Sequence, residues 1–489
     1  MHFIPTEKYD ADVLVVGGGP AGASCAFHLA AAGFRVIVID FASFPRDKVC
    51  GDFVGPVAIR ELEAMGIAGD ASFLQTNVIR KAAVYLDGVN LLTKEIPAIA
   101  GLPDHGRVIP RETLDHWILE KAKSRGVRVI TSCKFQRSET FSNAVTSYCK
   151  GPEGEVSFTS RFLVGADGSN STLARQLNGA KPDAECRIIA VRAYYTNVDC
   201  TADEAELYFT SKSFPGYYWF FPTGPGAANV GIGMVVENFP AEEVNLKRLL
   251  EDLIENDATL KKKMANARLQ GKIVGWPLST YNPKAEIAAD RVLLTGDAAG
   301  LINSLNGEGI QYALLSGRWA AEALIPCLNR QEYSKALLFD YIQKIKARLG
   351  LDMSVSNLVI QVIRNRNLTS LWLQLLSIMS ERAAADEQYA NVAGGILAGL
   401  IPAQAALSPS FIGKSVQQVF SSVLRQTVAE TRKNPLALPA TGIRFAGYTL
   451  AQLGNVVQQK EQYWQWSKGI AGKGMLVSKH LLRSVICPD

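Results

Sequence analysis

Gly17, Gly19 and Gly22 stand in the spacing GxGxxG, and Asp40 follows further along the chain. This spacing suits a phosphate-binding turn. Gly17 permits a tight turn, Gly19 lets a pyrophosphate approach the backbone, and Gly22 lets a helix pack closely on a strand. The flanking residues agree. Ala11 to Val16 (ADVLVV) reads as a buried parallel strand, Ala23 to Ala32 as a helix closed by Gly33, and Arg35 to Ile39 as a second strand ending at Asp40. The first turn of that helix would offer its free amides and its dipole to phosphates. Asp40 would accept hydrogen bonds from an adenosine ribose. Gly17, Gly19, Pro20, Ala21, Gly22 and Asp40 are therefore expected at a dinucleotide. The glycine pattern alone does not say which dinucleotide.

Two later segments do. Leu163 to Ser169 is an apolar strand running into Ala166-Asp167-Gly168, with Ser171 and Arg175 after it. Arg291 to Ala299 is another strand, ending in Gly296-Asp297. Both resemble motifs of the para-hydroxybenzoate hydroxylase superfamily of flavoproteins. The resemblance implies FAD, with Asp167, Gly296 and Asp297 at the cofactor and Asp297 on its ribityl chain. It extends to Arg111 and Asp115 in PRETLDHWILEKA, where the family arginine contacts FAD. It also implies that the helix starting at Gly307-Glu308-Gly309-Ile310 points its N-terminus at the isoalloxazine, with Gly307, Gly309 and Ile310 beside it. A positive helix end there would stabilise the anionic reduced ring.

A narrower resemblance lies between these motifs. Phe44 to Asp52 (FPRDKVCGD) looks like the PRxKxCG segment of the geranylgeranyl reductase family, and Tyr217 to Pro222 (YYWFFP) fits that family's YxWxFP. The resemblance implies that Arg46, Cys50 and Gly51 lie at the flavin and that Cys50, Tyr217 and Trp219 serve catalysis. It also places Tyr217, Trp219, Phe221 and Pro222 at the substrate pocket. Read as residues alone, Tyr217, Trp219 and Phe221 share one face by period two, which suits either a core or an aromatic wall. Cys50 suits either an inert buried thiol or an active-site one.

The implied activity is reduction of carbon–carbon double bonds in a large apolar, isoprenoid-type substrate by hydride from reduced FAD. A protein group or water would supply the proton. Relatives of this family include monooxygenases and halogenases, so the alternative is an FAD monooxygenase acting on a natural product or peptide precursor. Trp464-Gln465-Trp466 continues Ser-Lys rather than completing the WxWxIP of tryptophan-type halogenases. A single GxGxxG leaves NAD(P)H as a transient electron donor, or a reduced redox partner in its place. No histidine sits in a metal pattern, and no metal is expected.

The elements that must position these residues form an α/β chain. The expected architecture is a Rossmann-type FAD-binding domain, an antiparallel β-sheet substrate domain and a helical C-terminal extension. The expected division assigns 1–80, 106–180 and 281–330 to FAD, 81–105 and 181–280 to the substrate sheet, and 331–489 to helices. A chain of 489 residues with 48% hydrophobic and 20% charged residues supports a large core and excludes global disorder. Eight cysteines without a CxxC pair suit reduced thiols in a cytoplasm. Met1 to Asp10 has no apolar signal region, and Val392 to Ile401 is too short to span a bilayer.

Charge is uneven. Residues 331–489 carry 17 Lys and Arg against 9 Asp and Glu, leaving 34 against 37 in the rest. The run Leu371 to Met379 is apolar on nearly every side. Together these features predict a lipid or other apolar substrate and a peripheral contact between residues 331–489 and an anionic membrane. Nucleic acid is not expected, since no binding motif is present.

Overall fold

The computed structural model describes residues 9–179, 184–238, 244–433 and 454–486. At its centre lies a sheet in the order Ala288–Ala289, Val292–Leu294, Gly154–Gly165, Ala11–Val16, Val36–Ile39, Arg128–Ile130. Ala11–Val16 is buried along its whole length. It pairs in parallel with Val36–Ile39 on one side and with the end of Gly154–Gly165 on the other. Burial on both faces is why this strand shows no polar alternation. The strand order reverses at Ala11–Val16, and in such sheets the crevice beyond the strand ends at the reversal is where ligands bind.

Two helices begin at that crevice. The glycine-loop helix runs Pro20–Ala31, starting a few residues before the expected Ala23 because Pro20 suits the first helical position. The second helix, Ile310–Arg330, starts at the Gly307-Glu308-Gly309-Ile310 segment. They lie almost backbone to backbone. A Cβ at Gly317 would fall 2.3 Å from the Ala21 carbonyl oxygen. Ser24 Oγ donates to the Leu314 carbonyl at 2.9 Å.

A seven-stranded sheet forms the second layer, in the order Arg268–Ser279, Arg187–Thr196, Ala227–Val235, Tyr217–Gly224, Glu204–Phe209, Lys81–Leu86, Val89–Glu95. Its neighbours are antiparallel except Glu204–Phe209 with Lys81–Leu86, which are parallel. That pair joins distant parts of the chain, so no hairpin dictates its direction. Beyond Gly307 the described residues are mostly helical, as the sequence predicts. Leu351–Ile363, Thr369–Ala385, Glu387–Leu397, Pro409–Lys433 and Lys460–Ile486 make up the C-terminal part. Among the described residues, no helix is long and apolar enough to cross a membrane. The all-round apolar character of Leu371 to Met379 has an internal cause. Leu373 and Ile378 are buried on one side, while Trp372, Leu375, Leu376 and Met379 face a large internal cleft.

Gly317→Ala tests how tightly the two helices are held. Alanine would gain about 1 kcal/mol in helix propensity. Overpacking against the Ala21 backbone would cost about 1–3 kcal/mol. The expected result is a lower denaturation midpoint and weaker FAD binding; an unchanged or raised midpoint would contradict the packing.

Candidate functional site

A cleft of about 2370 Å³ opens at the ends of the parallel strands and runs under the C-terminal helices. Gly17, Gly19, Pro20, Ala21 and Asp40 line one end of it. Gly307, Gly309 and Ile310 border its middle. Gly22 and Gly296 do not face the cleft; they allow close packing behind it. A Cβ at Gly22 would lie 1.9 Å from the Gly17 carbonyl oxygen, and one at Gly296 would lie 2.8 Å from Ala21 Cβ. Gly17 itself adopts φ +105°, and a Cβ there would lie 2.3 Å from Ala166 O.

The dinucleotide end is built for anions. Gly19 caps the first helix without a side-chain hydrogen bond, so the first amides have no side-chain partner. Arg111 grips Asp115 through Nε–Oδ1 at 2.6 Å and Nη2–Oδ2 at 2.7 Å. Arg46 Nη1 lies 3.1 Å from the same carboxylate. Two guanidinium groups thus share one buried acid, and Arg46 Nε and Nη1 are buried without a hydrogen-bond partner among the described residues. A pyrophosphate would complete that charge balance. Asp40 accepts the amides of Gly18 at 2.7 Å and Ala42 at 2.8 Å, one on each oxygen. Each oxygen keeps a lone pair for a ribose hydroxyl.

Two acids flank the cleft further in. Asp297 accepts from Lys48 Nζ at 3.0 Å and from Ser169 Oγ at 3.3 Å. Burial pushes its carboxyl up, but Lys48 and Arg111 outweigh burial and hold it below the usual range. Asp167, expected at the cofactor, borders the cleft, but its carboxylate caps the helix Thr172–Asn178. It accepts from Ser171 Oγ at 2.5 Å and from the Thr172 amide at 2.7 Å. Cys50 also borders the cleft and accepts the Asp52 amide at Sγ, 3.3 Å away. Burial pushes its thiol up despite Arg111, so it is protonated at neutral pH.

The strand Tyr217–Gly224 presents Tyr217, Trp219 and Phe221 to the cleft. Their ring centroids are spaced 6.4 Å apart in each step. Tyr218 and Phe220 alternate into the core behind. Pro222 needs a correction. It is absent from the cleft wall, because period-two alternation turns it to the same side as Phe220. Gly51 lets the Phe221 ring approach: a Cβ there would lie 3.1 Å from it.

Several residues at this site were not singled out from the sequence. Trp219 lies across Gly231 of the neighbouring strand, where a Cβ would come within 2.2 Å of the indole. Its Nε1 donates to Asn229 Oδ1 at 2.9 Å. Asn229 Nδ2 donates to Cys50 O and to Asp52 Oδ2, each at 2.8 Å. Tyr194 donates to the same Asp52 oxygen at 2.6 Å. Burial still pushes the Asp52 carboxyl up to about 6 against those donors. The available signal was the glycine pair Gly231 and Gly233 inside a strand, which marks a close approach across it.

Comparison with known proteins fits this geometry. The family described as FAD binding domain matches residues 10–348. Menaquinone reductase of Mycolicibacterium smegmatis is 33% identical over 332 residues, covering 64% of this chain and 76% of that protein. Geranylgeranyl diphosphate reductase of Rhodobacter capsulatus is 30% identical, covering 66% and 76%. The chain belongs to the geranylgeranyl reductase family of FAD-dependent oxidoreductases. A solved geranylgeranyl bacteriochlorophyll reductase-like protein of Thermoplasma acidophilum shares this reductase-family fold. It has a TM-score of 0.65 and 25% identity, over 75% of this chain and 91% of that one.

FAD is thus the cofactor of this reductase-family protein, and the anion-binding end just described fits it. Removing the Asp297 carboxylate should cost a charged hydrogen bond, about 1.5–3 kcal/mol. Flavin fluorescence titration of Asp297→Ala should show FAD affinity reduced roughly ten- to hundredfold. Wild-type affinity in that variant would remove Asp297 from the cofactor site.

Proposed function

We propose that this oxidoreductase saturates carbon–carbon double bonds of a long isoprenoid chain. The observation that carries this reading is the continuity of one cleft from the glycine loop to an apolar tunnel. Its 2370 Å³ exceeds the roughly 300–1,000 Å³ of an ordinary ligand pocket. Space therefore remains beside a dinucleotide. Ile363, Trp372, Leu376 and Met379 give the far part an apolar wall. The names of the reductases at 30% and 33% identity support the same substrate class.

Bound and reduced, FAD supplies hydride to the substrate. The chain's own residues do the rest. Arg46, Arg111 and the first turn of Pro20–Ala31 hold the pyrophosphate, and Asp297 orients the ribityl chain. Tyr217, Trp219 and Phe221 lay the substrate chain along the cleft and exclude water. Asn229 and Asp52 fix the Trp219 indole and the Cys50 loop in one network. Electrons arrive from NAD(P)H binding transiently, or from a reduced redox partner. The division of labour is a flavin domain from 1–80, 106–180 and 281–330, a substrate sheet from 81–105 and 181–280, and a helical cover from 331–489.

A cytoplasmic protein peripheral to a membrane suits a lipid substrate. Ile412, Val416 and Phe420 are exposed at successive helical turns of Pro409–Lys433. Leu397 is both exposed and part of the cleft wall. This face, with the excess of cations in residues 331–489, suits an anionic bilayer that delivers the chain. Sedimentation with anionic vesicles should be strong at low salt and weaken as the Debye length falls from about 10 Å to about 3 Å. Absence of binding at low salt would contradict the membrane reading.

The function itself is tested by single turnover. FAD-loaded protein, reduced anaerobically, should be reoxidised by geranylgeraniol or a menaquinone while a double bond is saturated. Trp219→Ala should lose a buried aromatic contact worth about 1.5–3 kcal/mol. Turnover should fall roughly ten- to hundredfold while FAD content stays as in wild type. Equal loss of both would return Trp219 to a packing role. Reoxidation by oxygen alone, with a hydroxylated product, would favour a monooxygenase.

A further inference from the structure

Glu308 sits between the two glycines that precede the second helix, and its side chain lines the cleft. Backbone closes in on it from two sides. A Cβ at Gly55 would lie 3.3 Å from Oε1. Gly399, in the turn after Glu387–Leu397 at φ +66°, comes so near that a Cβ would lie 1.6 Å from Oε2. Its chain neighbours tie it to both halves of the site. A Cβ at Gly309 would lie 3.5 Å from Asp297 Oδ1, and one at Gly307 would lie 2.9 Å from the Tyr217 hydroxyl. The carboxyl itself lies against Gly55 and Gly399, near enough to the aromatic wall that its charge acts on the Tyr217 phenol.

Oε1 is buried and has no hydrogen-bond partner among the described residues. An ionised carboxylate left so is costly, and the neutral acid is the cheaper form. The titratable groups facing it are Asp352 from Leu351–Ile363, Tyr312 from its own helix, and Tyr217 from the aromatic strand. None is a cation. Burial first, then Asp352, push the Glu308 carboxyl up to about 8. Two other acids of the cleft, Tyr217 and Cys50, are poorer donors. Tyr217 already donates to Asn306 O at 2.5 Å, and burial raises its phenol. Burial likewise raises the Cys50 thiol.

We propose that Glu308 is the proton donor of the reduction, its carboxyl protonating one carbon of the substrate double bond as the other carbon receives hydride. This rests on the double-bond reduction inferred above. Protonating the less substituted carbon of an isoprenoid double bond places positive charge on the tertiary carbon, so the proton goes to the first and the hydride to the second. The π pair forms one of the two new C–H bonds with the carboxyl proton, and the hydride brings the electrons of the other. Two electrons leave the reduced cofactor with the hydride. The carboxylate left behind is reprotonated from water. Turnover is supported while Glu308 holds its proton and falls as pH rises through about 8.

The test compares wild type with Glu308→Gln and Glu308→Asp, all FAD-loaded, with geranylgeraniol as substrate. Infrared difference spectra without substrate should show a protonated carboxyl band at neutral pH. That band should fade as pH rises through about 8 and be missing in Glu308→Gln. Turnover in Glu308→Gln should fall about 10²–10⁴-fold and lose its alkaline limb, with FAD affinity unchanged. Glu308→Asp should recover part of the rate. A Gln variant that turns over within a few fold of wild type, or no such carboxyl band at neutral pH, would overturn the proposal. So would FAD affinity that falls in step with turnover in both variants, since the role would then be structural. A wild type that binds FAD but saturates no isoprenoid double bond would overturn the functional reading itself, and this proposal with it.

Discussion

The near contact between the helices Pro20–Ala31 and Ile310–Arg330 decides what this cleft can hold. Each helix starts without a side-chain cap, at Gly19 and at Gly309. Two uncapped starts on one cavity put two sets of free amides, and two positive dipole ends, on the same ligand. The arrangement exists because Gly317 admits the Ala21 backbone and Gly296 admits the Ala21 side chain. Gly22 does the same job against the turn at Gly17. A side chain at any of these points would move one helix start away from the other. The glycines that matter most are therefore those facing away from the cleft.

From that frame follows a gradient of polarity along the cavity. At the glycine loop, Arg46 and Arg111 share one buried acid, Asp115, so that cluster holds one more cation than acid. Midway, Lys48 and Asp297 form a pair at 3.0 Å. Beyond it come the aromatic strand and the aliphatic side chains of Ile363, Leu376 and Met379, and there Glu308, pushed up by burial and Asp352, keeps its proton to about 8. An anionic dinucleotide and an apolar chain would sort themselves along such a cavity without further machinery. The Asn229–Asp52–Tyr194 cluster lies behind the aromatic wall and ties Trp219 to the Cys50 loop. Buried hydrogen bonds of this kind rigidify a wall that hydrophobic packing alone would leave adaptable, although Asp52 Oδ1 has no partner among the described residues.

Local motifs were legible in the sequence because their chemistry is local. Strand, glycine turn, helix and acid succeed one another from Ala11 to Asp40, and each leaves a periodic or conformational mark. The face shared by Tyr217, Trp219 and Phe221 followed from period two alone. The same rule, applied one residue further, would have excluded Pro222. Long-range partners left no such mark. Asp52 meets Tyr194 and Asn229 only after the substrate sheet folds over the Cys50 loop, and Glu308 meets Gly399 only once the C-terminal helices close over the cleft. The apolar run Leu371 to Met379 pointed to lipid, yet a cavity wall and a membrane face demand the same composition. Only the placement of Trp372, Leu375, Leu376 and Met379 separates the two for that helix.

The account's central claim is that flavin and isoprenoid chain occupy one cleft side by side. Titration of the oxidised, FAD-loaded protein with geranylgeraniol measures this directly through the visible spectrum of the bound flavin. The account predicts a saturable spectral shift at one chain per FAD, accompanied by quenching of Trp219 fluorescence. Displacement of FAD by the chain, or saturable binding that leaves the flavin spectrum untouched, would contradict it.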